Sequence, residues 1–228
     1  MKKYNGEKAI ISMTSWTKRI NTCSKTIFSL LKNCPGFHIV LVLNTVEFPE
    51  KENSLPADLR TLIENDLIEV IWLDKDYKVF QKILFTMDKY RDVPIIGADD
   101  DCLYTSNYAE ELYKLWEQNK KAICITKGNE KYFNTYHTMG QTTLHPPYCY
   151  GKYGLECLND KIIARKQDDD YYMVLRHKLG LSDTMITDKH YLQYIKPHDD
   201  NDGLWQIYLR GNYCQETVRI YEEEIKIK

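Results

Sequence analysis

Apolar positions come in two rhythms along this chain, and their alternation is the first structural signal. Lys8-Ala9-Ile10-Ile11-Ser12-Met13 is a short apolar run suited to a buried strand. After it Ile20, Cys23, Ile27, Leu30, Leu31 and Cys34 recur at three- and four-residue steps, which predicts a helix stopped by Pro35-Gly36. Phe37 to Leu43 is a second strand, apolar almost throughout and rich in β-branched residues. Runs without alternation belong to strands covered on both faces, as in parallel sheets. Leu59, Leu62 and Ile63 mark a short helix beginning near Pro56, and Ile68 to Leu73 gives a third strand. Phe80, Ile83, Leu84 and Met87 form another helical face, followed by a fourth strand, Val93 to Ala98. A helix with Tyr108, Leu112, Leu115 and Trp116 on one side precedes a fifth strand, Ala122 to Thr126. Strands alternating with helices at this spacing predict an α/β architecture with a parallel, doubly wound sheet.

The second half lacks this rhythm. Lys127 to Lys166 is dense in Gly, His, Tyr, Pro and Asn and reads as irregular loops and short strands lining a site. Asp168 to Leu179 is helical again and ends at Gly180. Beyond it the pattern is ambiguous as far as Val218-Arg219-Ile220, which reads as a closing strand. No repeat, low-complexity stretch or Ser/Gly linker divides the chain. The expectation is one domain over residues 1–228, which changes character between residues 126 and 127.

Composition narrows the function. The chain of 228 residues is 43% apolar and 28% charged, and it carries a formal charge of −2. A near-neutral balance argues against nucleic acid as the main partner, since gripping phosphate backbones takes a basic excess. No run of about 18 apolar residues marks a membrane span, and the polar start Met1 to Glu7 lacks the apolar core of a signal peptide. The seven cysteines are scattered without a C-x-x-C pair, so reduced, packed thiols in a cytoplasmic protein are expected.

Three acidic clusters carry the candidate chemistry. Asp99-Asp100-Asp101 follows the fourth strand directly, at the edge where ligands of such sheets bind. Adjacent carboxylates repel unless a cation sits between them, and a hard ion such as Mg²⁺ or Mn²⁺ would also reach a substrate diphosphate. The plain alternative is a solvated acidic turn, which rarely follows a buried strand at a binding edge. Asp168-Asp169-Asp170 opens a helix, where first-turn acids are ordinary dipole chemistry, yet one of them projecting toward the sheet edge would be available as a general base. His198-Asp199-Asp200 is a third polar cluster.

Taken in order, several segments resemble a group of bacterial glycosyltransferases of the GT-A fold. Ile11 to Ile20 resembles their "SLTSYPKRI" opening, with Trp16-Thr17 in place of Tyr-Pro. Phe48-Pro49 with Leu55-Pro56 matches an "FP…LP" loop, and Trp72 to Asp76 with Phe80-Gln81-Lys82 resembles "W-DD-…-YKK". Ala98 to Tyr104 resembles the "VDDDIIYP" metal motif; Leu144-His145-Pro146-Pro147 resembles "LYPP", with histidine for tyrosine. Gln167 to Asp170 resembles the acidic motif that supplies the base of inverting members. The resemblance spans residues 9–180. It implies a Rossmann-like, mixed but mostly parallel sheet flanked by helices, with residues 1–126 as a nucleotide-binding half and 127–228 as an acceptor-binding and catalytic half. It also implies transfer of a sugar from a nucleoside-diphospho-sugar, expected to be UDP-linked, to a hydroxyl of a glycan or glycolipid acceptor in surface polysaccharide synthesis, with inversion. Thr14, Ser15 and Arg19 would hold the nucleotide, with Lys82 and Asp100 near it. Asp76 would face the base or ribose, and Asp99 would contact ribose and metal. Asp101 would ligate Mn²⁺ or Mg²⁺, with His198 as a further metal contact. Asp169, with Asp168 beside it, would be the base. The resemblance leaves room for peripheral association with a membrane assembly. Two other readings compete: a metal-dependent nucleotidyltransferase or phosphatase, and a non-catalytic nucleotide- or carbohydrate-binding module. The first would show a Gly-rich phosphate loop, and Thr14 to Ile20 contains no glycine.

Overall fold

The structure is a computed structural model that describes residues 2–126, 131–132, 135–136, 141–187, 191–195 and 213–227. The expected alternation is present. Strand β1 (Ile10–Thr14) leads into α1 (Ile20–Asn33), β2 (His38–Asn44) into α2 (Ala57–Glu64), and β3 (Glu69–Leu73) into α3 (Gln81–Lys89). Then come β4 (Ile95–Gly97), β5 (Cys102–Tyr104), α4 (Tyr108–Gln118) and β6 (Ile123–Thr126). The remainder holds a small hairpin, β7 (Lys131–Tyr132) and β8 (Thr135–Tyr136), then β9 (Thr143–His145) and helices α5 (Tyr153–Glu156), α6 (Asp160–Arg165) and α7 (Asp168–Leu179). β10 (Thr184–Thr187), β11 (Leu192–Tyr194) and α8 (Tyr213–Glu224) complete the described elements.

Seven strands form one sheet in the order β10-β6-β9-β4-β1-β2-β3. β1 pairs in parallel with both β2 and β4, so Ile10 lies beside His38 and Ile95. β9 alone runs antiparallel, wedged between β4 and β6. The pleat divides the core by parity. Ile11, Met13, Leu41 and Leu43 pack on the side of α1, α2 and α4; Ile10, Val40 and Val42 pack on the side of α3, α7 and α8. Burial on both faces is why these strands read as continuous apolar runs.

Two features depart from the sequence reading. Val218-Arg219-Ile220 is not a strand but the middle of α8. Val218, Tyr221 and Ile225 are buried and Arg219 is exposed, a three- and four-residue spacing that a three-residue window hides. Within 127–166 two short helices appear, and α6 is capped by Asn159, whose side chain accepts from the amides of Lys161 and Ile162 at 3.0 and 3.1 Å. The six cysteines with described side chains are free thiols.

At the amino edge of the sheet, away from the candidate site, Glu69 is buried among donors. It receives His38 Nε2 at 2.7 Å, Lys89 Nζ at 2.6 Å and the Tyr90 hydroxyl at 2.7 and 2.9 Å. Glu7 lies 3.6 Å from the other nitrogen of His38.

Candidate active site

Three elements converge at the carboxyl edge. The Asp99–Asp101 turn joins β4 to β5, the segment after β1 carries Ser15 and Arg19, and the first turn of α7 comes from the second half of the chain. The turn is fixed through its backbone. The Asp99 amide donates to the Tyr104 hydroxyl at 3.0 Å, and the Thr26 hydroxyl donates to the carbonyls of Asp100 and Cys102 at 3.1 and 2.8 Å. The Ile195 amide donates to the Asp101 carbonyl at 2.8 Å.

The three carboxylates then take different directions. Asp100 is turned inward: it accepts from the Ser15 hydroxyl at 2.6 Å and from Arg19 at 3.1 Å. Burial raises its pKa, with Arg19 and Ser15 opposing. Asp101 pairs with the same Arg19 nitrogen at 2.9 Å and keeps 22% of its side chain exposed; Asp99 keeps 33%. Lys82, on α3, is buried with its ammonium 2.9 Å from Asp99 and 3.4 Å from Asp168. Burial alone would lower the Lys82 pKa, but Asp168 and Asp99 outweigh it and hold the lysine charged. Four carboxylates thus share two internal cations. Ser15, Arg19, Asp100 and Asp101 form one group and Lys82, Asp99 and Asp168 another, and the backbone of the Asp99–Asp101 turn joins the two.

On α7 the three aspartates separate as a helix requires. Asp168 and Asp170 are buried, while Asp169 is partly exposed. The N-cap is Gln167, without a side-chain cap hydrogen bond, and the Asp168 carboxylate is directed to Lys82. Thr14 joins neither group. Its hydroxyl donates to the Val42 carbonyl at 2.8 Å and accepts from Gln81 at 2.7 Å. Asp76 lies apart, after β3, where it accepts from the Lys78 amide at 2.8 Å and pairs with the Lys78 ammonium. Glu47 is close to both Asp76 and Lys78, and burial raises its pKa. The sequence reading gives no role to Glu47, to Gln81 or to the buried Asn44. A polar residue ending an otherwise apolar strand, as Asn44 ends β2, was the available signal. His145 is buried beside this region, with Nδ1 2.9 Å from the Tyr150 hydroxyl. Burial, then Arg176 and Lys82, push it down to about 3, so it is neutral at ordinary pH. His198 lies outside the described residues.

Among the described residues no three His, Cys, Asp or Glu side chains converge on a point that a cation would fill. The partly exposed pair Asp99 and Asp101 does suit a hard divalent ion whose remaining ligands are phosphate oxygens and water, the usual habit of Mg²⁺. The donor set therefore fits a cation that arrives with a diphosphate, rather than one caged by protein alone.

No family model matches the sequence, and no curated protein matches it significantly. Solved structures do resemble the fold. S. aureus TarS superposes with a TM-score of 0.53 at 11% identity, over 81% of this chain and 36% of TarS. GalNAc-T7, in a structure with UDP, GalNAc and Mn²⁺, reaches a TM-score of 0.43 at 16% identity, over 54% of this chain and 24% of its own, too slight a likeness to argue from. Both are glycosyltransferases. The chain spans little more than a third of TarS, and what the likeness shows is the fold, in this chain a mixed, mostly parallel seven-stranded sheet flanked by helices.

Proposed function

We propose that this protein transfers a sugar from a nucleoside-diphospho-sugar, UDP-linked, to a hydroxyl group of a glycan or glycolipid, with inversion at the anomeric carbon. The observation that carries the reading is the meeting of the Asp99–Asp101 turn with the first turn of α7 at the carboxyl edge of a glycosyltransferase-type sheet. Donor-binding and base-bearing elements of an inverting transferase have to adjoin in this way.

Asp99 and Asp101 would hold Mn²⁺ or Mg²⁺. The ion would supply neutralising charge to the diphosphate leaving group. Asp100, tied to Ser15 and Arg19, holds the turn and orients the guanidinium. Thr14 and Asp76, at the ends of β1 and β3, flank the place proposed for the nucleoside. Asp169 takes the acceptor proton as the acceptor oxygen bonds to the anomeric carbon, while the bond from that carbon to the phosphate oxygen breaks and its electron pair leaves with the diphosphate. Positioning and electrostatic stabilisation carry most of the rate in such a scheme.

The test is calorimetric titration of UDP with and without Mn²⁺, followed by turnover across a panel of nucleotide sugars. UDP binding that needs the metal, together with release of UDP from one sugar donor, supports the reading. Release of pyrophosphate or inorganic phosphate instead would identify a nucleotidyltransferase or phosphatase. Indifference to both ligands would leave a binding module.

A further inference from the structure

The resemblance puts Lys82 near the nucleotide, yet the residue is 5% exposed and both its carboxylate neighbours belong to the protein. We propose that Lys82 is a positioning residue, an internal cation that ties the base-bearing turn of α7 to the Asp99–Asp101 turn, rather than a ligand of the nucleotide. The proposal rests on the glycosyltransferase reading for its catalytic consequence.

The lysine is anchored at its backbone. The Lys82 carbonyl accepts from the buried Ser12 hydroxyl of β1, and Ser12 also bonds to Thr86 one turn further along α3, at 2.7 Å. The start of α3 is thereby pinned to the strand that ends at the site. From that point the side chain carries its charge between Asp99 and Asp168. The Asp168 Oδ2 atom is buried and accepts no hydrogen bond, so the ammonium 3.4 Å away is what compensates its charge. A buried ion pair broken from one side leaves an uncompensated charge, which is strongly destabilising.

The first turn of α7 is seated in the core by Tyr171 and Tyr172, whose rings pack on Phe80 and Tyr150, but its leading end lies toward Lys82. Gln167 makes no side-chain cap, and the residue before it, Lys166, turns the chain through a left-handed conformation with φ 55°. Asp169 follows Asp168 directly on the helix, so any shift of Asp168 moves Asp169 with it. Lys82 accordingly sets the distance between the donor side of the site and the group that receives the acceptor proton. A nucleotide ligand would need its ammonium facing solvent, where a phosphate could reach it.

The experiment compares Lys82→Met with the double variant Lys82→Met/Asp168→Asn, which removes both charges and keeps the fold accessible if the single variant fails to fold. Three quantities are measured: UDP affinity in Mn²⁺, the steady-state kinetics of UDP release from the donor, and amide hydrogen exchange over residues 168–172. The expected result for the double variant is UDP affinity no weaker than wild type, since losing the ammonium frees Asp99 for the cation, with faster exchange in the first turn of α7 and kcat lower by about 10²-fold, the effect of an ångström of misplacement. A large loss of UDP affinity would make Lys82 a nucleotide ligand and overturn the proposal. Exchange at the wild-type rate, or wild-type kcat, would overturn it as well. If the wild type neither binds UDP nor uses a nucleotide sugar, the glycosyltransferase reading fails, and the exchange result alone still decides whether Lys82 holds α7.

Discussion

Replacing Glu69 by Gln should weaken the fold without touching the site, and the size of the effect follows from the cluster around it. Burial would raise the pKa of this carboxyl, but hydrogen bonds from His38, Lys89 and Tyr90 outweigh burial and bring it from the ordinary 4.5 to about 2. At about 1.4 kcal/mol per pKa unit, that depression corresponds to about 3 kcal/mol of native-state stability. Because the folded-state pKa lies below the unfolded one, the contribution is complete above about pH 4.5 and is lost as the pH falls toward 2. Glu69→Gln keeps the shape and removes the charge. It should therefore cost about 3 kcal/mol at pH 7, or roughly 6–12 °C in Tm for a chain of this size. Urea unfolding of wild type and variant at pH 7, 5, 4 and 3 measures the difference directly. The gap should be constant between pH 7 and 5 and narrow below. UDP affinity well below the melting range should be equal in the two proteins, because Glu69 sits at the opposite edge of the sheet from Asp99. A gap of similar size at every pH would refute the reasoning, as would a negligible one at pH 7.

Asp101→Asn should weaken Mn²⁺-dependent UDP binding while leaving the melting temperature near that of wild type; full turnover in excess chelator would remove the metal from the proposal. Asp169→Asn should lower kcat by roughly 10²–10⁴-fold with donor KM little changed, the usual worth of a placed general base; normal turnover would dismiss Asp169 as the base. Gly180→Ala tests backbone geometry alone, since φ there is +69° and a Cβ would meet nothing within 4 Å. The left-handed conformation should cost about 1–2 kcal/mol, read as a lower Tm with kcat unchanged.

The parallel half of the fold was legible because its strands are buried on both faces and its helices show a clear three-to-four rhythm. β2, α1 and α4 lie within a residue or two of their expected limits. What was hidden is short or mixed in character. β9 has three residues, too few for any period, yet it fills the middle of the sheet. β10 is a half-exposed edge strand of four residues, too short for its pattern to declare a buried face. The acidic turn was legible from its place after a buried strand. The inward turn of Asp100 toward Ser15 was not, nor was the reach of Lys82 to Asp168. Those contacts join residues 85 and 86 positions apart, and no local spacing encodes them.

The placement of β9 and β11 also sets a timetable. The acidic turn leaves the ribosome long before its supports do: Leu192–Tyr194 pairs with Cys102–Tyr104, and Ile195 bonds to Asp101. At 5–20 residues per second those partners follow after roughly 5–20 s. Until residues 143–145 arrive, β4 and β6 have a missing strand between them, and each presents unpaired amides and carbonyls. The nascent chain must therefore wait with an open seam in its sheet. The closures that follow span more chain still, Thr184 to Ile123 and Leu192 to Tyr104, and pairing between such distant segments is of the kind that makes folding slow.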